Sequence, residues 1–386
     1  MHKWTKQEIQ LHIRAVALLI LSMIAVAMVA EVSAQNWNSK VTAYPTKTEA
    51  AIERYARDLM NEMSLEELVG QMFYAVDPDD VEGDAEQYGF GGVLLSAEHF
   101  NHLSAGEVSA VLSGYQTSSR LPLLIGVAEE GGDVNAVSIH SALRSKEFLS
   151  PGELVTTGGM KFVDHDARDK SDLLRSLGIR VNFAPVCEAT TDKTAAMYSR
   201  TVHGDTDDAV RYVATVVAAM TERKVQPVLK YFPGYGNVKY RSDTEVLTDS
   251  RSYEQLQQQA LPPFARGIEE GAKMVMMSNN IVMAVDSSQP ASLSRDVHDL
   301  LRRDMGFEGL IISGELHAKG LQRYGSVGEI AVQAIRAGSD MLVTKDYRIQ
   351  IPAVVHAVQV GELSRERIEE SVLRILKLKI EMGLME

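Results

Sequence analysis

Eight short apolar segments, separated by helical patterns, constrain the fold of this chain more than any other feature of its sequence. They lie at 70–76, 91–95, 123–127, 181–184, 227–231, 274–278, 309–313 and 340–343. Each segment is continuously apolar rather than alternating, which is typical of strands buried on both faces of a parallel sheet. The sequence therefore predicts an α/β protein with eight parallel strands.

Helical periodicity fills the intervals between these segments, at 49–63, 105–118, 165–177, 205–223, 253–270, 294–305, 327–337 and 365–382. Strands and helices that alternate without a change in composition favour one closed (β/α)8 barrel of the TIM type over 49–386. An open doubly wound sheet is the alternative. The glycine-rich dinucleotide fingerprint expected there is missing, because Gly234-Tyr235-Gly236 is followed by Asn-Val-Lys without a third glycine.

The first 34 residues have the layout of a secretory signal. Lys3, Lys6 and Arg14 precede an uncharged apolar run at 15–30, and a small-residue pattern ends at Ala34. A helix that spans a bilayer needs about 20 residues, and this run is shorter. The alternative to a cleaved signal is an uncleaved signal anchor. Residues 35–48 are polar and aperiodic, so we expect a linker there. We expect an exported protein, extracellular or anchored at the cell surface, that contacts the membrane only through an uncleaved N-terminal segment.

Charge and composition argue against several classes of function. The net charge of −13 disfavours a nucleic-acid partner, which would require a basic surface. Cys187 is the single cysteine, so a disulfide framework and a multi-cysteine metal site are excluded. The ten histidines show no metal-ligand spacing, and no G-x-S-x-G motif of a serine hydrolase is present. We expect neither a metal nor a cofactor, and the sequence leaves the oligomeric state open.

Polar and glycine-rich residues follow four of the predicted strands, at 129–133, 232–236, 278–280 and 313–315. In a (β/α)8 barrel the loops that follow the strands share one face, and active sites lie on that face. Any one such loop is ordinary, because strand-to-helix loops are generally polar. Four of them together predict a functional site at the carboxyl ends of the strands.

A series of motifs resembles glycoside hydrolase family 3, in particular its compact β-N-acetylhexosaminidase branch. In chain order they are SLEELVGQM (64–72), LPLLIGVAEEGG (121–132), LGIRVNFAPV (177–186), LKYFPGYG (229–236), PASLS (290–294) and GFEGLIIS (306–313). The resemblance implies a single-domain barrel that acts on N-acetylglucosamine-type or peptidoglycan-derived glycans. It also implies a retaining mechanism, which uses a carboxylate nucleophile and a proton donor that later serves as base.

The sequence departs from the family pattern at the positions that carry this chemistry. The resemblance places the nucleophile directly after the seventh strand, where this chain has Gly314. It places the histidine acid/base at Asp243 and the aspartate partner of that histidine at Arg241. Asp243 and Glu315, the residue next to Gly314, are therefore the candidates for a replacement catalytic pair.

The positions that bind sugar in the family are partly kept. Lys230 is retained and Arg200 matches a sugar-binding arginine, whereas Ala128 and Asp133 stand where the family has aspartate and arginine. The candidate substrate-binding residues are Lys230, Arg200, Tyr231, Tyr235, Glu130 and Glu188, of which the two tyrosines replace histidines and Glu188 replaces an aspartate.

Three functions are consistent with this pattern. The one we favour is a carbohydrate-binding pseudoenzyme, because nucleophile, acid/base and sugar-anchoring positions are all changed. The second is an active glycosidase that cleaves terminal N-acetylglucosamine-type or cell-wall glycans. The third is a non-catalytic scaffold that binds a partner. An open cleft lined by tyrosines would favour the first over the third, and a filled cleft would favour the third.

Overall fold

The computed structural model describes residues 48–236, 238–240, 242 and 244–385. Eight parallel strands close into a barrel in their order along the chain. They are β1 (Phe73–Val76), β2 (Gly92–Leu95), β3 (Leu124–Val127), β4 (Val181–Asn182), β5 (Gln226–Phe232), β6 (Met274–Met277), β7 (Leu310–Glu315) and β8 (Met341–Thr344). The predicted (β/α)8 barrel is confirmed. The predicted signal lies outside the described residues, as does the predicted linker apart from Thr48.

Helices surround the barrel. They are α1 (Glu49–Asn61), α2 (Leu65–Gln71), α3 (Val81–Tyr88), α4 (Ala105–Ser118), α5 (Pro151–Ser176), α6 (Thr206–Glu222), α7 (Tyr253–Gln255), α8 (Leu261–Glu269), α9 (Arg295–Asp299), α10 (Val327–Ala337), α11 (Tyr347–Gln359) and α12 (Arg365–Glu381). The π-helical segments Leu256–Ala260 and Leu300–Asp304 continue α7 and α9. Among the described residues, none of the helices has the length and apolarity required to cross a bilayer.

Several helices differ from the sequence prediction. The periodicity misses α3 and α11 and places the start of α5 at residue 165 rather than at Pro151. Gly159 interrupts α5 with a φ of 62°, and α11 contains Pro352 in its interior. Both residue types lower helix propensity. The helix breaks at Gly159 and resumes beyond it, whereas Pro352 is accommodated within α11, which packs against α10 and α2. Residues 70–71 were predicted as strand but end α2, because Gly70 and Gln71 continue its helical turn.

The starts of many helices are encoded locally. Six helices (α2, α4, α5, α6, α7 and α10) begin with a capping box, in which the side chains of the N-cap residue and of the third helical residue each accept from the other's backbone N–H. Ser104 and Glu107 form one example at the start of α4. Such a pair satisfies two amide donors that the helix itself leaves free. Five of these helices (α4, α5, α6, α7 and α10) follow barrel strands, so their capping boxes mark where the chain leaves a loop on the face that carries the site.

Large and small side chains are matched inside the barrel. Tyr74 of β1 is fully buried, and its ring meets the ring of Phe183 edge-on at 5.1 Å. A Cβ atom on Gly126 of β3 would lie 2.5 Å from the Tyr74 hydroxyl. Glycine at this position therefore leaves room for the tyrosine, and the barrel interior is a packed core rather than a pore.

A buried carboxylate ties the outer helices to the amino-terminal end of the barrel. Asp340, directly before β8, is 0% exposed. Its carboxylate accepts from Arg302 Nη2 at 2.6 Å, Ser371 Oγ at 2.7 Å, Ile311 N at 3.0 Å and Arg374 Nη1 at 3.1 Å. These donors come from β7, α12 and the segment after α9, so one side chain joins three elements.

We expect Asp340→Ala to lower the free energy of unfolding by about 1–3 kcal/mol, because it leaves buried hydrogen-bond donors unsatisfied and the partly buried Arg302 and Arg374 without their counter-charge. Urea unfolding followed by circular dichroism measures the change. Glu53→Ala is the matched control, because Glu53 forms an exposed ion pair with Arg57 within α1, and we expect it to leave the midpoint nearly unchanged. Equal effects of the two substitutions would contradict this account of Asp340.

Lys379 of α12 is a buried amine whose Nζ donates to Gln71 Oε1 at 2.7 Å. Burial lowers the pKa of Lys379 to about 7, from an ordinary value of 10.5. Between these two pH values the unfolded chain binds more protons than the folded chain. The contribution of Lys379 to stability therefore rises with pH across this window, by about 1.4 kcal/mol per pH unit.

We accordingly expect Lys379→Met to be more stable than the wild type at pH 7 and to lose this advantage as the pH approaches 10. Urea unfolding at pH 7, 8.5 and 10 tests this expectation. Lys377→Met, on the same helix but at a partly exposed side chain, should show no such narrowing. A pH-independent difference between wild type and Lys379→Met would show that the buried amine does not titrate in this range.

Candidate functional site

The loops that follow β3, β4, β5 and β7 bring most of the candidate residues to the carboxyl end of the barrel. Glu130 follows β3, and Arg200 ends a 3-10 turn at Tyr198–Arg200. Lys230 and Tyr231 belong to β5. These four side chains, which lie far apart in the sequence, form one buried cluster.

The cluster is centred on the carboxylate of Glu130, which is 3% exposed. Arg200 donates to it twice, from Nε at 2.8 Å and from Nη2 at 2.5 Å, and Lys230 Nζ forms a further ion pair with it. Arg200 Nη2 also donates to the Tyr231 hydroxyl at 2.9 Å. Two cations and one carboxylate leave the cluster with a net positive charge.

The protonation state of Glu130 follows from these neighbours. Burial alone would raise the pKa of Glu130, but the charges of Lys230 and Arg200 outweigh it and hold the pKa at about 2. Glu130 is therefore ionised at neutral pH and has no proton to donate. Arg200 Nη1 is buried without a hydrogen-bond partner, so this cluster keeps one donor that the protein does not satisfy.

An irregularity in β5 brings two consecutive side chains to this cluster. Lys230 pairs with Met276 and Phe232 with Met277, so Tyr231 is an extra residue opposite β6. Such a bulge changes the direction in which side chains leave the strand. The Tyr231 ring meets the Tyr235 ring edge-on at 5.5 Å, and both tyrosines lie at the mouth of the barrel.

Glu188 contacts the loop after β5 and does not join the cluster around Glu130. Its carboxylate accepts from the backbone N–H groups of Tyr235 and Gly236, each at 2.9 Å. Burial raises the pKa of Glu188, although the charge of nearby Arg251 acts against this shift. Glu188 thus holds the loop that carries Tyr235, while Glu130, Arg200, Lys230 and Tyr231 form the cluster described above.

The position of the implied nucleophile is filled by another side chain. A Cβ atom on Gly314 would lie 2.3 Å from Asn279 Oδ1. Asn279 is held in place, because its Nδ2 donates to the Glu315 carbonyl at 2.9 Å and its Oδ1 accepts from Ser292 Oγ at 2.6 Å. In this arrangement no side chain larger than hydrogen fits at residue 314.

Glu315 lies beside this position, at the end of β7. The register of β7 against β8 shifts between Ile312 and Glu315, which is the signature of a bulge. Glu315 is half-buried, and it lines a cavity of about 40 Å³ together with Gly314, Tyr231 and Tyr235. Its side chain therefore reaches the mouth of the barrel, although adjacent residues of a regular strand point to opposite faces.

Asp243 and Arg241 lie outside the described residues. Asn279, Asn280 and Glu245 line the same cavity as Glu315. The sequence places Asn279 and Asn280 in a loop of the predicted site face without giving either a role, and it does not point to Glu245. Asn279 and Asn280 directly follow β6, and this position after a barrel strand is the signal that points to them. Nothing comparable marks Glu245, which reaches the cavity from a long loop.

Two further observations concern the cysteine and possible metal ligands. Burial raises the pKa of the Cys187 thiol, which is completely buried, so this cysteine does not act as a nucleophile. Among the described residues, no group of three or more His, Cys, Asp or Glu side chains lies close enough to hold a metal ion.

Comparison with known proteins identifies the family. The model of the "Glycosyl hydrolase family 3 N terminal domain" matches residues 64–378. The chain belongs to glycoside hydrolase family 3. The resemblance inferred from the sequence motifs is thereby confirmed at the level of the family.

Three relatives illustrate the match, and each is a hexosaminidase or a glucosaminidase. The chain is 27% identical over 314 residues to "Beta-hexosaminidase LpqI" of Mycobacterium tuberculosis, covering 78% of this chain and 79% of that protein. It superposes on a family 3 β-N-acetylglucosaminidase from Paenibacillus sp. with a TM-score of 0.77 and 26% identity, covering 83% of this chain but 63% of the other. The β-N-acetylhexosaminidase of Beutenbergia cavernae gives a TM-score of 0.72 at 26% identity, over 82% of this chain and 99% of the other.

The packing at residue 314 makes a direct prediction. We expect Gly314→Asp to lower stability by about 1–3 kcal/mol, because the new side chain displaces Asn279. The double variant Gly314→Asp/Asn279→Gly should recover part of this loss, because it vacates the space. Thermal unfolding measures both variants.

Gly106→Asp on α4 is the control for the residue change itself, because a Cβ atom there would meet nothing within 4 Å. If Gly314→Asp unfolded at the wild-type temperature, Asn279 would not fill the position as described.

Proposed function

We propose that this family 3 protein binds glycans of the N-acetylglucosamine type at the carboxyl end of its barrel and does not hydrolyse them at the rate of a family 3 enzyme. The glycan class is supported by the relatives of this chain, which are β-hexosaminidases and β-N-acetylglucosaminidases. The lack of hydrolysis is supported by the residues of this chain.

The observation that carries the proposal is the contact between Gly314 and Asn279. The resemblance places the nucleophile at residue 314, and a Cβ atom there would lie 2.3 Å from Asn279 Oδ1. Glycine has no group that attacks an anomeric carbon, and an amide is a poor substitute for a carboxylate. Losing a covalent nucleophile typically costs several orders of magnitude in rate.

Glu315 is the side chain that has to replace this group if hydrolysis is retained. A retaining glycosidase requires its two carboxyl groups about 5–5.5 Å apart on either side of the scissile bond. A misplacement of about 1 Å costs roughly 100-fold in rate. Because Glu315 leaves the strand one residue later than the family nucleophile, we expect it to contact the ligand without forming a covalent intermediate.

Binding is supported by polar groups that the protein leaves unsatisfied at this end of the barrel. Arg200 Nη1 and Asn280 Nδ2 are buried donors without partners, and buried polar groups are normally hydrogen-bonded. The tyrosines at the mouth add aromatic surface, which packs well against the apolar faces of sugars. A sugar suits both features, because its oxygens accept from the two donors and its apolar face packs against the tyrosine rings.

A second candidate function is a scaffold that binds a partner protein and no sugar. The specific observation in its favour is the size of the cavity, about 40 Å³, against at least about 300 Å³ for typical small-molecule sites. A volume of this size admits a substituent of a sugar and not its ring. In the glycan-binding proposal the ring therefore lies at the mouth, outside the cavity.

The signal layout of residues 1–34 supports the further proposal that the protein is exported, either released or anchored at the cell surface. Glycans of the cell wall are accessible from that location. Fractionation of cells that produce the full chain, with detection of the protein in the medium, the membrane and the cytoplasm, tests this location. Recovery in the cytoplasm alone would contradict it.

Two assays on the full chain test the functional proposal. We expect no turnover of a chromogenic β-N-acetylglucosaminide by the wild type, Glu315→Gln or Asp243→Asn. We expect saturable binding of N,N′-diacetylchitobiose in calorimetry, weakened about 5–10-fold by Tyr235→Ala because a sugar-contacting ring is lost. Tyr253→Ala is the matched control, because Tyr253 is exposed and does not line the cavity.

The outcomes separate the three functions. Turnover by the wild type that Glu315→Gln or Asp243→Asn abolishes would replace the proposal with an active glycosidase. Absence of both turnover and binding would leave the scaffold function. Binding that Tyr235→Ala and Tyr253→Ala weaken equally would place the ligand elsewhere on the molecule.

A further inference from the structure

Asn280 is a buried side chain with an unsatisfied donor. It follows β6 and is 3% exposed, yet its Nδ2 has no hydrogen-bond partner in the structure. The side chain lines the same cavity as Glu315 and Tyr235.

The backbone around Asn280 fixes this arrangement. Its carbonyl accepts from Ala291 N at 2.8 Å, and its N–H points to Ser278 Oγ at 3.4 Å. The next residue, Ile281, pairs with Thr248 and Pro290 in a small three-stranded sheet. The main chain is thus held on both sides of the Asn280 side chain.

An unpartnered amide donor in the interior costs free energy, because the group has lost its water and gained nothing in return. The adjacent cavity of about 40 Å³ has room for a few water molecules, since one water needs about 10–15 Å³. It therefore also has room for a small ligand substituent. An acceptor oxygen in this cavity would satisfy the donor.

We infer that Asn280 is a ligand-binding residue, which donates from Nδ2 to an acceptor oxygen on a substituent of the bound glycan. This inference rests on the proposed glycan binding and names the group that reaches into the cavity. The cavity lining includes Glu315 and Glu245 and, among the described residues, no lysine or arginine, so we expect an uncharged substituent there rather than an acidic one.

The test is the substitution Asn280→Leu, which keeps the size of the side chain and removes its polar group. If Asn280 binds the ligand, the substitution lowers the affinity for the ligand without lowering the stability of the protein. We expect the affinity for N,N′-diacetylchitobiose to fall at least 10-fold in calorimetry. We expect the melting temperature to stay equal or rise, because an unsatisfied buried donor has been removed.

Gln350→Leu is the matched control. Gln350 of α11 is a fully buried amide whose Oε1 has no partner, and it does not line the cavity. We expect its affinity for the disaccharide to equal that of the wild type. A second variant, Asn280→Asp, keeps the shape and exchanges the donor for a carboxylate, and we expect it to lose affinity as well.

Each outcome bears on the inference. Binding by the wild type with equal affinity in Asn280→Leu and Asn280→Asp overturns it while leaving the proposed function intact. A lower melting temperature in Asn280→Leu, together with wild-type affinity in Asn280→Asp, assigns Asn280 a structural role and also overturns it. If the wild type itself binds no disaccharide, the proposed function fails, and the inference fails with it.

Discussion

Hydrogen bonding between β8 and β1 closes the sheet, and the rest of the structure depends on this closure. Phe73 pairs with Leu342 and Ala75 with Thr344, so no strand of the barrel has a free edge. Because all eight strands run in parallel, their carboxyl ends meet on one face. The loops that leave this face bring Glu130, Arg200 and Lys230 into one cluster, although 100 residues separate the first from the last.

The site built on this face contains a buried cluster of charged side chains, and glycine stands at the nucleophile position that the family resemblance implies. Glu130 forms ion pairs with both Arg200 and Lys230, and its negative charge partly compensates these buried cations at the end of the barrel. At the neighbouring strand end, Asn279 occupies the space of a side chain at residue 314. The two features are compatible with a protein that retains the framework of a hydrolase and uses it to hold a ligand.

Much of the fold was predictable because the relevant interactions are local or periodic. Continuous apolar runs predicted all eight strands, and four polar loops predicted the face that carries the site. The helices that the prediction missed or shortened carry residues that disfavour helix. Pro352 lies inside α11, which packs against α10 and α2, and Gly159 breaks α5 into two parts.

The sequence by itself determined the barrel, the family and the identity of the residue at the implied nucleophile position. Only the tertiary structure decided what surrounds that position, because Asn279, Ser292 and Gly314 meet across three separate segments of the chain. The bulge in β7 likewise depends on register against β8, which no pattern within one strand encodes. Strand periodicity follows from each residue and its neighbours, whereas the reach of Glu315 and the unsatisfied donor of Asn280 follow from packing between elements.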